Sequence, residues 1–282
     1  MRIDETELLR HICIQKSLNG VSFASSNACD VLGEILNPAL LQAALKFKNL
    51  QIIQDLIKTK SDLNAFSMHG YTPLMMAAMT GCVQGVHSLL SAGVDLNICN
   101  KKGQTALWLA ASNGYSDAVK ILAKAGADLD LSDKKEGKTP LMVAAEFGHL
   151  PVISELIKSG VDVNRVSPYG QTALSYAIVG FSRDVKILRN LIKFGADIHH
   201  EPKAGERVFA LKPLVLATLH RNKDAVKELM KHGASGVESA LDFAQARGEQ
   251  DLIDLLSEKK SPRLVKRKKA SLDVQDLGRM RD

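Results

Sequence analysis

Aromatic residues are scarce in this chain: they make up 5% of 282 residues, with a single tryptophan at Trp108. A β-sandwich of that length fills its interior with rings and β-branched side chains. Few rings beside abundant alanine and leucine favour closely packed helices instead. Cysteine is sparse too. Cys13, Cys29, Cys82 and Cys99 stand far apart, without a Cys-x-x-Cys pair or a Cys/His zinc spacing, which argues against a disulfide framework and fits free thiols in a reducing compartment. No apolar run reaches the length needed to span a bilayer. The opening Met1-Arg2-Ile3-Asp4-Glu5-Thr6-Glu7 is acidic where a secretion signal would turn basic and then apolar, so a soluble protein of cytoplasm or nucleus is expected.

Catalytic signatures are missing as well. There is no phosphate-cradling Gly-x-x-x-x-Gly-Lys, no Gly-x-Ser-x-Gly and no His-Glu-x-x-His. His199-His200-Glu201 brings three ligand types together, but adjacent side chains do not converge on one ion without partners from elsewhere, and a solvated loop is the reading taken. No catalytic residue, cofactor, metal or small-molecule substrate is therefore expected. Positive charge is also lacking over most of the chain. Residues 257–282 hold nine Lys or Arg against four Asp or Glu, +5 of the formal +6, so the body is nearly neutral and contact with nucleic acid is expected through the tail if anywhere.

What the sequence has in quantity is self-similarity. Gly70-Tyr71-Thr72-Pro73-Leu74 returns as Gly103-Gln104-Thr105-Ala106-Leu107, Gly137-Lys138-Thr139-Pro140-Leu141 and Gly170-Gln171-Thr172-Ala173-Leu174, the glycines 33, 34 and 33 residues apart. Ala77-Ala78, Ala110-Ala111 and Ala144-Ala145 follow. Gly93-Val94-Asp95, Gly126-Ala127-Asp128, Gly160-Val161-Asp162 and Gly195-Ala196-Asp197 close the units. Period and motif together resemble the ankyrin-repeat family. The tetratricopeptide repeat has a similar period but a Trp/Leu/Gly/Tyr pattern that is absent here.

Each recurring residue has a physical reason. Thr72, Thr105, Thr139 and Thr172 stand where a hydroxyl can accept from an orphan N–H at a helix start. Pro73 and Pro140 take the first helical position, where the missing N–H costs nothing, and the alanine pairs admit a neighbouring helix. Val86, Leu89 and Leu90, or Val119, Ile121 and Leu122, give the second helix a face to bury, and Gly93, Gly126, Gly160, Gly195 and Gly233 follow it where a left-handed residue is favoured. Asp95/Asn97 and Asp162/Asn164 read as turn formers whose side chains bond nearby backbone. Trp108 reads as core between repeats.

Weaker units flank these. Leu41–Asn64 fits as a divergent first repeat, Lys212–Ala234 as a fifth clear unit, and Ser239-Ala240-Leu241 to Leu256 as a last one. Two insertions break the period: about five extra residues in the loop His199–Leu211, and two near Gly180–Asp184 between the helices of the fourth clear unit. Such insertions either mark a contact site or drift harmlessly. The expected architecture is all-α: a helical cap over 1–33, a solenoid of about six to seven helix-turn-helix units with finger loops over 34–256, and a flexible basic tail over 257–282.

The resemblance implies a protein-binding module that engages another protein through a concave groove and its fingers. Specificity would then lie in positions that vary between units. Beside the finger glycines these are Met68, His69 and Tyr71, then Lys101, Lys102 and Gln104, then Glu136 and Lys138, then Pro168, Tyr169 and Gln171; at the helix ends they are Met79, Thr80, Ser112, Asn113, Glu146 and Phe147. Exposed Tyr, Met or Phe beside Lys has the composition of an interface hot spot, although Phe147 and Met79 would equally fill gaps between helices. Resemblance also implies that Asn64, Asn97 and Asn164 match positions hydroxylated in the family, and that the histidine usual after Thr-Pro-Leu is replaced by Met75, Trp108, Met142 and Ser175. In the tail, Lys266-Arg267-Lys268-Lys269 resembles a nuclear-import signal, with a plain solvated tail and another anionic partner as alternatives, and Ser271 resembles a site for a basophilic kinase. Two further alternatives stand beside the adaptor reading. One is an effector secreted by an intracellular microbe that binds host proteins. The other is an enzymatic or nucleic-acid-binding function residing outside the repeats.

Overall fold

A computed structural model describes residues 53–54, 57, 62–67, 70–201 and 211–257. Among them are twelve helices and no strand. They are α1 (Pro73–Met79), α2 (Val83–Ser91), α3 (Ala106–Ser112), α4 (Ser116–Lys124), α5 (Pro140–Phe147), α6 (Leu150–Lys158), α7 (Ala173–Val179), α8 (Val185–Lys193), α9 (Pro213–Leu219), α10 (Lys223–Lys231), α11 (Val237–Ala246) and α12 (Gln250–Ser257). The chain falls into two compact units, one of residues up to Lys135 with Lys158–Val161, the other of Glu136–Ile157 with Asp162 onward. Within the first, α1 packs on α3 and α2 on α4; within the second, α5, α7, α9 and α11 pack in succession, as do α8, α10 and α12. Helices of seven to ten residues are too short to persist alone, so each is held by burying its apolar side on its neighbour.

The helix starts are as the threonines predict. Thr72, Thr105, Thr139 and Thr172 accept from the backbone N–H of Met75, Trp108, Met142 and Ser175. Met75 closes the first cap reciprocally, its sulfur accepting from the Thr72 N–H at 3.4 Å, while Ser175 Oγ lies 3.3 Å from Thr172 Oγ1. Two replacements of the family's usual histidine thus still serve the cap. Leu74, Leu107, Leu141 and Leu174 are buried to within 2% exposure, and Trp108 is buried at 8%. The alanines Ala77, Ala110 and Ala144 are wholly buried, which is what lets consecutive first helices approach.

In the last unit the helix begins earlier than the repeat register predicts. Ser239 aligns with the capping threonines yet lies inside α11, which starts at Val237 after Gly236 in a left-handed conformation (φ 90°).

The asparagines correct the expectation of purely local turn bonding. The local bonds belong to the aspartates: Asp62, Asp95, Asp162 and Asp197 each accept from the N–H two residues on. The asparagines reach into the next turn of the array. Asn64 Oδ1 accepts from Asp95 N–H at 3.1 Å and Asn97 Oδ1 from Asp128 N–H at 2.9 Å in the first unit. In the second, Asn164 Oδ1 accepts from Asp197 N–H at 2.8 Å while its Nδ2 donates to the Gly195 carbonyl at 2.9 Å. Each is a staple between successive repeats.

Candidate partner-binding surface

Two sets of turns vary from repeat to repeat: the fingers before each capping threonine, and the tips where the first helix of a repeat passes into the second. Three fingers share one frame. Ser67, Asn100 and Ser167 donate their N–H to the carbonyls of Tyr71, Gln104 and Gln171, and accept in turn from the N–H of Gly70, Gly103 and Gly170. Their side chains accept from the same Tyr71, Gln104 and Gln171 N–H groups, so each turn is closed twice. Such turns hold the intervening side chains out on a rigid base. Lys101 and Lys102 are exposed there, Tyr169 is 41% exposed, and Tyr71, Gln104 and Gln171 are half-buried. Met68 and His69 lie outside the described residues.

The third finger differs because its period is one residue longer. Lys138, expected to face a partner, is 8% exposed. Its ammonium lies 2.7 Å from both Glu136 Oε2 and Glu146 Oε2 and 4.8 Å above the centre of the Tyr176 ring. Burial pulls the Lys138 pKa down, but the hydrogen bonds and charges of Glu136 and Glu146 outweigh it and hold the group above the usual lysine value. Burial raises the Tyr176 phenol, opposed in part by Lys138. Lys138 is therefore a strut between finger and helix end, and its ammonium is not an open contact.

At the tips the expected residues are mostly accessible. Asn113 is exposed, Met79, Thr80 and Ser112 are half-buried, and Phe147 is 43% exposed. The repeat-period reading missed Phe181, in the short insertion, which is the most exposed large apolar side chain among the described residues at 77%. Its ring stacks on Phe147, centroids 5.5 Å apart and planes at 18°, and His149 stacks on the other ring at 6.2 Å. The insertion itself was visible as a break in period; an aromatic inside a two-residue insertion was the available signal.

The insertion is pinned where it leaves α7. The Phe181 N–H donates to the Glu146 carbonyl at 2.9 Å, and the Asn222 side chain donates to the Ile178 carbonyl at 3.0 Å, taking one of the acceptors left open at the end of α7. Ser182 sits against Gly148 (φ 85°), so closely that a Cβ on Gly148 would run into it. At the third tip of the second unit, Arg221 holds a left-handed backbone (φ 54°), as Arg183 does at the second (φ 47°), where four other tips have Gly81, Gly114, Gly148 and Gly248. It pairs with Glu249 at 2.6 Å, and Arg247 donates to the Leu219 carbonyl at 3.0 Å.

Of the second insertion, only His199–Glu201 and Leu211 are described. His200 Nε2 is 3.1 Å from the Gly170 carbonyl, joining that loop to the neighbouring finger, and no cluster of three or more His, Cys, Asp or Glu occurs among the described residues. No helix among them is long and apolar enough to cross a membrane. Lys266–Lys269, Ser271 and the 1–33 segment lie outside the described residues.

The family model described as ankyrin repeats (3 copies) matches residues 40–133 and 125–202. Over 81 residues, 28% of this chain, it is 36% identical to the ankyrin repeat and SAM domain-containing protein 6 of Mus musculus, covering 9% of that protein. It is 33% identical to the potassium channel AKT2/3 of Arabidopsis thaliana over 134 residues, 45% of this chain and 15% of the channel. A Plasmodium falciparum protein provisionally named an E3 ubiquitin-protein ligase is 35% identical over 96 residues, 31% of this chain and 1% of that one. The chain thus spans a small part of the curated relatives it matches. It belongs to the ankyrin-repeat family, an all-α class built for protein-protein interaction and typically non-catalytic.

Proposed function

We propose that the chain is a non-catalytic adaptor or regulator that holds a partner protein on its fingers and tips. The observation that carries this reading is the exposure of aromatic side chains, Tyr169 in a doubly closed finger and Phe147 at a helix tip, at positions the fold does not need for packing. Rigid rings on a rigid base lose little entropy on binding and supply most of the affinity of a protein interface. Cytoplasm and nucleus are the proposed compartments, with Lys266–Lys269 as the import signal.

Affinity capture from cell extract tests this with the intact chain, a Tyr71/Tyr169 double alanine variant and a chain ending at Lys260. A partner lost with the double variant and kept with the shortened chain is the expected result. A partner that survives the double variant and disappears with the tail would move the function out of the repeats.

A further inference from the structure

The tips of the second unit form one surface with two chemical halves. Phe147, His149 and Phe181 stack at one end. Toward the other, the tips carry Arg183, His220, Arg221 and Arg247, all exposed. Burial first, and then the charges of Arg183 and Arg247, push the His220 imidazole below its usual value, which places both arginines within electrostatic reach of it. The acidic groups near this row are already engaged. Glu249 is held by Arg221 and Arg247, Glu146 by Lys138, and Asp184 accepts from the Lys186 N–H at the start of α8. Two arginines, Arg221 and Arg247, thus share one largely buried glutamate, and Arg183 stands two residues from the most exposed ring among the described residues.

Nothing in the stack requires Phe181 where it is. The insertion that carries it is fixed through backbone groups, the Phe181 N–H and the Ile178 carbonyl, so the ring rests against Phe147 alone and leaves most of its surface to solvent. A 77% exposed phenylalanine costs free energy in water unless something covers it.

The geometry points to a docking site on this row for an acidic partner segment, one large apolar side chain covering Phe147 and Phe181 and carboxylates beside it meeting Arg183 and the Arg221/Arg247 pair. Charge complementarity selects this occupant: with one glutamate shared between Arg221 and Arg247, a basic or neutral apolar segment would bury an excess of positive charge, whereas carboxylates form charge-assisted bonds with the guanidinium forks. The inference deepens the adaptor reading and rests on it, by naming which surface is used and what chemistry the partner brings.

Panning a random peptide library on phage against the full chain, followed by anisotropy titration of the enriched peptide carrying a fluorophore, tests it. Expected are peptides with an aromatic or large aliphatic residue beside Asp or Glu, binding that weakens about tenfold or more with Phe181→Ala and with Arg183→Glu, and a loss of affinity as salt rises. Phe181→Ala leaves the unfolding midpoint unchanged, because so exposed a ring contributes little to the fold. Enriched peptides without acidic bias, or binding indifferent to both variants, overturn the site. Loss with Tyr169→Ala alone overturns it too, while leaving the adaptor reading intact. Absence of any enriched peptide overturns the site, and if extract capture also returns nothing the adaptor reading falls with it.

Discussion

The tips of the two units solve the same chemical problem in opposite ways. Every first helix ends with carbonyls that have no partner inside the helix. In the first unit the cap side chain turns back on its own helix: Thr80 Oγ1 donates to the Met76 carbonyl at 2.8 Å, and Asn113 Nδ2 to the Leu109 carbonyl at 2.8 Å, each beside the backbone bond that carbonyl already accepts. Tyr115 packs on Gly81 of the preceding tip, and the tips Met79–Cys82 and Ser112–Tyr115 carry no charge. In the second unit the following repeat supplies the donors, namely the Phe181 N–H for Glu146, Asn222 for Ile178 and Arg247 for Leu219. Side chains released from capping their own helix are then free to be apolar or cationic. A self-satisfied tip is inert, and a cross-satisfied one can carry a surface.

The largest expected effect asks whether the two units are equally well packed beneath these different tips. Leu107→Ala in α3 and Leu174→Ala in α7 remove side chains buried to 0% and 1%, and each is expected to cost about 2–5 kcal/mol in chemical denaturation. Trp108, the sole tryptophan, lies in the first unit, so its emission follows that unit while circular dichroism follows both. A cost below about 1 kcal/mol at either leucine would mean that unit's core is loose.

A smaller effect separates the units by pH. The position after the finger glycine is Tyr71 or Gln104 in the first unit, and in the second Gln171 or the buried strut Lys138. Lys138→Met is expected to destabilise the chain by roughly 2 kcal/mol at neutral pH, since Glu136 and Glu146 lose their shared partner. Because the folded pKa of Lys138 is raised, its contribution is fully present below the unfolded lysine value and disappears as pH rises through the folded one. The gap between native and variant midpoints therefore narrows at strongly alkaline pH, and a constant gap would show that the strut acts by packing alone.

The smallest expected effect compares the staples. Asn97→Ala removes one bond in the first unit and Asn164→Ala two in the second, so losses of about 1 and about 1.5 kcal/mol are expected by thermal unfolding. Equal losses would mean that the second bond of Asn164 adds nothing.

Much of this fold was legible because it repeats. Four threonines at one register define four helix starts, and the glycines that follow the second helices, Gly93, Gly126, Gly160, Gly195 and Gly233, all have positive φ. What was not legible departs from the period or depends on a neighbour. One extra residue in a finger turns Lys138 inward, which no residue type announces. Asn97 and Asp95 look alike as turn formers, and only the stacking of the next turn shows that one bonds locally and the other across. Tyr71 and Tyr169 occupy equivalent turns but differ in exposure. Phe181 and Arg183 fall in an insertion, where alignment of the repeats has no column for them.

What the staples grip has a consequence for how such a chain changes length. Asn64 and Asn97 hold a main-chain N–H, a group that every residue except proline presents, and Asn164 adds a main-chain carbonyl. The joint between neighbours is therefore indifferent to the identity of the side chain it meets. Adding or removing a whole repeat would leave a joint of the same kind able to form at the new boundary, whatever side chains meet there.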